Sequence, residues 1–163
     1  MKKLIILLAM LPAVLLFYGC PVGLDHSAGT PGTEKIDKAL IGTWVTDKAE
    51  HEFKKVTITK IDDFSYKLVV EEKGEMYAVE GDEFTGWITT IKGQKFLYAK
   101  PTAEDKYYLY HYEVDGKKLV THDVSLLDGG VDAVKSTETL RKQIETSLGM
   151  DDCLSEETTF TKQ

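Results

Sequence analysis

The sequence predicts an all-β domain: an antiparallel, up-and-down, eight-stranded β-barrel followed by one C-terminal helix and a short final strand. Three observations predict it. From Lys38 onward, short segments alternate apolar and polar residues with the period of two that half-buried strands require. Asp62-Asp63, Lys73-Gly74, Gly81-Asp82, Lys92-Gly93 and Asp115-Gly116 punctuate these segments as turn signals, and gaps this short join only antiparallel neighbours. Near Thr137 the period then changes to a helical one.

In order, the expected strands are 41–46, 54–61, 65–71, 75–79, 83–91, 95–100, 106–114 and 117–125. A sheet of consecutive hairpins avoids exposed edges most simply by closing on itself. Ser136 or Thr137 can cap a helix over 137–148, in which Leu140, Ile144 and Leu148 share one side and Gly149 is the stop. Alternation resumes over 157–161, which reads as a ninth strand carrying Phe160.

Ahead of the barrel lie two other kinds of segment. Met1-Lys2-Lys3, an apolar run over 4–17 and Gly19-Cys20 describe an export signal, residues 1–19, ending at an acylation site. The run is shorter than the roughly 20 residues a transmembrane helix needs. Cys20 is therefore the expected lipid attachment residue, and the chain is expected in the cell envelope as a membrane-anchored lipoprotein. Pro21 supplies no inner-membrane retention signal of the aspartate type, which points to the outer membrane, facing the periplasm or the surface. Residues 20–37 are expected to be the lipidated cysteine and a flexible tether rich in Gly, Pro, Ser and Thr. The 17 residues after Cys20 would hold the domain, residues 38–163, roughly 23 Å from the anchor.

Composition excludes several functions. Taking Lys2 and Lys3 from the 20 basic residues leaves 18 against 27 acidic ones, a mature formal charge of −9. A nucleic-acid partner is thereby disfavoured, as is electrostatic adhesion to anionic headgroups. Arg141 is the sole arginine, too few for bidentate clamping of phosphates. With Cys20 acylated, Cys153 has no disulfide partner, and its acidic surroundings make it a small apolar filler rather than a nucleophile. Ser125, Ser136, Ser147 and Ser155 lie in no nucleophile motif, and no glycine-rich phosphate loop occurs. No enzyme activity and no cofactor is expected.

The richest patch is the hairpin over 106–125. With Asp115-Gly116 as the turn, one face carries Tyr107, Leu109, His111, Glu113, Lys118, Val120, His122 and Val124. The other carries Tyr108, Tyr110, Tyr112, Val114, Lys117, Leu119, Thr121 and Asp123. The faces are nearly equal in hydrophobicity, so pattern alone leaves open which one points inward. His111 and His122 would be diagonal neighbours, and with Glu113 they form the weak alternative of a two-histidine, one-carboxylate metal site. Without it no metal is expected. Tyr108, Tyr110 and Tyr112 could instead line the interior, joined by Trp87, Phe96 and Tyr98 as ligand-binding candidates.

Gly42-Thr43-Trp44 on the first strand, together with this strand order, resembles the lipocalin-like branch of the calycin β-barrels. Gln94-Lys95-Phe96-Leu97-Tyr98 and the late helix are similar to small lipocalin-like lipoproteins of bacteria, mostly without assigned function. The resemblance implies that Trp44 plugs the closed end of the barrel. The family's Thr-Asp-Tyr turn and its arginine after the last strand are absent, and Lys162 could lie over Trp44 in the arginine's place through a cation–π contact. The resulting expectation is a monomeric, lipid-anchored protein holding a small apolar or amphipathic ligand in its barrel. Its rival is a packed barrel that acts as a protein-interaction module, a scaffold or an inhibitor.

Overall fold

A computed structural model describes residues 23–46, 53–74 and 78–163. The export segment, Cys20 and part of the segment expected as the strand over 75–79 lie outside the described residues. Eight antiparallel strands form a closed barrel: β1 (Gly42–Thr46), β2 (Phe53–Lys60), β3 (Tyr66–Lys73), β4 (Ala78–Ile91), β5 (Gln94–Pro101), β6 (Tyr108–Asp115), β7 (Lys118–Val124) and β8 (Leu154–Lys162). Each strand pairs with its neighbour in sequence. Closure comes from β1 and β8, where Trp44 faces Lys162 and Thr46 faces Phe160. Helix α1 (Thr137–Ser147) starts at Ser136, whose hydroxyl accepts from the Thr139 N–H.

The eight strands are reached by a different route from the one the sequence suggests. Val79 and Glu83, expected on separate strands, both belong to β4, and the segment read as a ninth strand is β8. Gly81, taken as a turn, has φ +85° and is the extra residue of a bulge where Val70 faces Asp82 and Glu71 faces Glu80. A glycine in that conformation serves a bulge as well as a turn, and the strand bends there instead of ending.

The final hairpin differs too. Its two-residue loop is Gly116-Lys117, with Asp115 facing Lys118 and His111 directly facing His122. Moving the loop by one residue slides the pairing by two, so every side chain keeps its face. The hydrophobic pattern therefore does not distinguish the two registers.

Two apolar clusters show which faces point inward. Trp44, Ile58, Tyr66, Leu68, Leu97, Tyr112, Leu119 and Phe160 come from seven strands around the ring and meet in one cluster, which is the barrel interior. Ile91, Phe96, Tyr98 and Leu109 cluster instead with Leu140 and Ile144 of α1 and with Leu24 and Ala28, so this second core lies outside the wall. Strand β5 is consequently buried on both faces, with Phe96, Leu97, Tyr98 and Ala99 in unbroken succession.

The N-terminal segment departs from the expected free tether. Leu24 forms a reciprocal backbone bridge with Tyr107, at 2.8 Å each way, beside the upper rim where β5 ends and β6 begins. From there the chain descends the outer wall: Ala28 is buried, Glu34 reaches Thr89 and Thr90, and the Ile36 N–H donates to Asp63 O at the lower end. The 3₁₀ turn Lys38–Leu40 then closes that end. Leu24 and Ala28 bury apolar area against β5 and α1, and that burial opposes the entropy of a free coil.

Candidate functional site

The interior has two halves. Its lower half is packed solid: Trp44, Ile58, Tyr66, Leu97, Tyr112 and Phe160 are each at most 6% exposed. Trp44 donates from Nε1 to Leu40 O at 2.7 Å, and Lys162 Nζ stands 4.9 Å from its ring centroid. Trp44 is thus fully buried at the lower end, with the Lys162 cation over its ring. Tyr66 and Tyr112 direct their hydroxyls to Asp37, Tyr66 donating to its backbone O and Tyr112 to its carboxylate. Burial would raise the Asp37 pKa, but the Lys95 ammonium and the Ala39 N–H hold it below the usual carboxylate value.

Toward the upper rim the inward residues Val56, Val70, Phe84, Ile88, Tyr110, Thr121 and Asp123 are only half-buried. Apolar side chains from β2, β3 and β4 form one wall, and Tyr108, Tyr110, Thr121 and Asp123 of β6 and β7 form the other. Tyr108 meets Phe84 edge to face and donates to Glu104 at 3.0 Å. Asp123 faces Tyr110 across the ladder. Burial raises the Asp123 pKa, the Lys54 ammonium opposes that shift, and Glu156 adds to it. Lys54 lies 3.3 Å from Glu72 on the facing strand. Burial, Asp123, Tyr108 and Glu72 all push the Tyr110 phenol pKa upward. The upper interior is thus amphipathic, apolar on one side and, on the other, lined by phenols and a partly desolvated carboxylate.

The tyrosine row therefore divides. Tyr108 and Tyr110 line the half-buried upper interior, whereas Tyr112 belongs to the packed floor. Trp87, Phe96 and Tyr98, expected beside them, are on the opposite surface of the wall. Trp87 stacks on Tyr98 with centroids 5.7 Å apart, and Phe96 is fully buried in the outer core that includes Leu140 and Ile144. Burial of β5 on both sides removes the alternation that would have told its inner face from its outer one.

His111 and His122 also lie on the outer face, with ring centroids 5.7 Å apart. His111 packs edge-on against Phe96, and burial lowers its pKa, with His122 adding to the effect and Glu113 opposing it. Glu113 is exposed, and among the described residues no three His, Cys, Asp or Glu side chains are gathered as a metal site. The buried Nδ1 atoms of both histidines have no hydrogen-bond partner among the described residues.

Sequence reasoning missed a polar clamp on the outer wall. The Arg141 guanidinium donates to Ala28 O, Thr89 Oγ1 and Thr90 O, while Glu34 accepts from both threonine hydroxyls and from the Thr90 N–H. Glu34 carried no signal because it lies in a stretch of tether-like composition. Asp123 was placed on the correct face, but its significance rests on Lys54 and Glu72 across the ring, which no local pattern reveals.

No family model matches the chain, and neither the curated proteins nor the solved structures compared with it give a match. The closed barrel is compatible with a calycin or lipocalin-like fold.

Proposed function

We propose that this chain is a lipid-anchored binding protein of the cell envelope, lipocalin-like in design, that holds a small amphipathic molecule in the upper half of its barrel. One observation carries the reading: the inward wall changes from fully buried at the Trp44 plug to half-buried around Tyr110 and Asp123. A ligand seated there would complete the burial that these inward residues lack. The ligand's apolar part would lie against Phe84, Ile88, Val56 and Val70, and its polar part would meet Tyr108, Tyr110 and Asp123. Binding of this kind needs no chemistry, and the protein would act by sequestration or transfer. Attachment through Cys20 supplies the membrane partner, and the envelope location follows from it.

Native mass spectra of the purified 21–163 chain, recorded before and after mild organic extraction, test the reading. A discrete adduct lost on extraction, and weakened by Asp123→Asn or Tyr110→Phe, is the expected result. A bare polypeptide mass with no uptake from a panel of lipids and hydrophobic dyes would remove the carrier reading.

The rival reading, a protein-interaction module, draws on Trp87 and Tyr107, which stand half-exposed on the outer wall around Tyr98 with centroids 5.7–6.4 Å apart. Aromatics of this kind anchor interfaces. Trp87→Ala would then abolish capture of a protein partner and leave ligand uptake unchanged.

A further inference from the structure

The path of the N-terminal segment determines how the barrel would stand on a membrane. Leu24 is bridged to Tyr107 at the upper rim, and Gly23 lies beside Lys106 and the Tyr108 hydroxyl, with its Cβ position 3.2 Å and 3.6 Å from them. Asp25 pairs with Lys106 at the same place. Below that point the Arg141 and Glu34 clamp holds the segment to β4 and α1. The segment is thus fastened to the barrel from Gly23 onward. Cys20 precedes Gly23 by three positions, so an acyl anchor on Cys20 is at most about 11 Å of extended chain from the rim. The lower end, with the Gly116-Lys117 loop, stands roughly 20 Å farther away along a tilted barrel.

We propose that in the lipidated protein the upper rim is held against the bilayer, so that the amphipathic upper half of the barrel faces lipid and its cargo is an amphiphile exchanged directly with the membrane. This rests on the acylation of Cys20 proposed above. A 17-residue coil would leave the barrel free to tumble at the surface; an attachment point only three positions before the fastened Gly23 does not.

The test uses the full chain, expressed with its own export segment and purified from membranes. Intact mass first shows whether Cys20 carries its acyl groups. The protein is then placed in phosphatidylcholine vesicles containing nitroxide lipids, with a fluorophore on Ala103→Cys at the rim or on Lys117→Cys at the lower loop. Cys153 is buried, and burial raises its thiol pKa, so it competes poorly for label.

The expected result is quenching several-fold stronger at position 103 than at 117, with the difference lost when 15 Gly/Ser residues are inserted after Pro21. Equal quenching in the uninserted chain, or stronger quenching at 117, with the acyl mass intact, would overturn the orientation while leaving the anchor in place. A mass without acyl groups would remove the anchor and the orientation together, and the carrier reading would still be judged by its own adduct measurement.

Discussion

At the scale of single residues, the lower end of the barrel depends on Gly42 as much as on Trp44. Gly42 has φ +145°, and a Cβ there would lie 2.4 Å from Lys162 Cε, the stem of the cation over the Trp44 ring. Gly42→Ala should therefore strain the backbone and displace Lys162 together, at a cost of about 1–3 kcal/mol. Urea denaturation would show it as a lower midpoint with unchanged slope, and the cost should shrink when Lys162 is also replaced by Ala. His111 supplies a pH prediction. Its folded pKa lies below the ordinary histidine value, first through burial and then through His122. The folded chain therefore binds fewer protons than the unfolded chain as pH falls below about 6.5. The stability linked to it is complete above that pH and is lost on acidification. Thermal midpoints between pH 7.5 and 5.5 should fall more steeply for the wild type than for His111→Gln.

At the scale of elements, α1 and residues 24–37 form a second layer over β4 to β6, fastened by charged hydrogen bonds at Arg141 and Glu34 and by the Leu24 bridge. Arg141→Ala removes three donors at once and leaves Glu34 to hold the segment. The expected loss is about 2 kcal/mol, since hydrogen bonds to charged groups contribute roughly 1.5–3 kcal/mol each before relaxation. Hydrogen exchange should locate it: the Leu24 and Tyr107 amides should lose protection, while those of the β2–β3 ladder keep theirs. Helix α1 was legible in the sequence to within a residue because its cap, its apolar side and its stop are all local. The packed strap was not legible, because Leu24 and Ala28 are isolated apolar residues whose burial depends on a surface formed some 60 to 120 positions away.

At the scale of the whole molecule, stability depends on ring closure. Strands β1 and β8, at opposite ends of the domain, must meet before the plug is sealed, and Phe160 belongs to both the ladder and the inner cluster. Phe160→Ala should cost about 3–5 kcal/mol, seen as a large drop in thermal midpoint by circular dichroism. Folding should fall in the millisecond-to-second range of non-local β topologies, measurable by stopped-flow refolding. The sequence by itself determined the β class, the antiparallel order and the helix, because alternation, turn residues and caps act between near neighbours. It also sorted the 106–125 hairpin into its correct faces, since a register error of two preserves them. Only the tertiary structure decided which face is inside, that Phe96 and Tyr98 lie beneath a second layer, and that the expected tether is a strap. Those outcomes depend on which surfaces meet once the ring closes, and a strand buried on both sides carries no periodic trace of that choice.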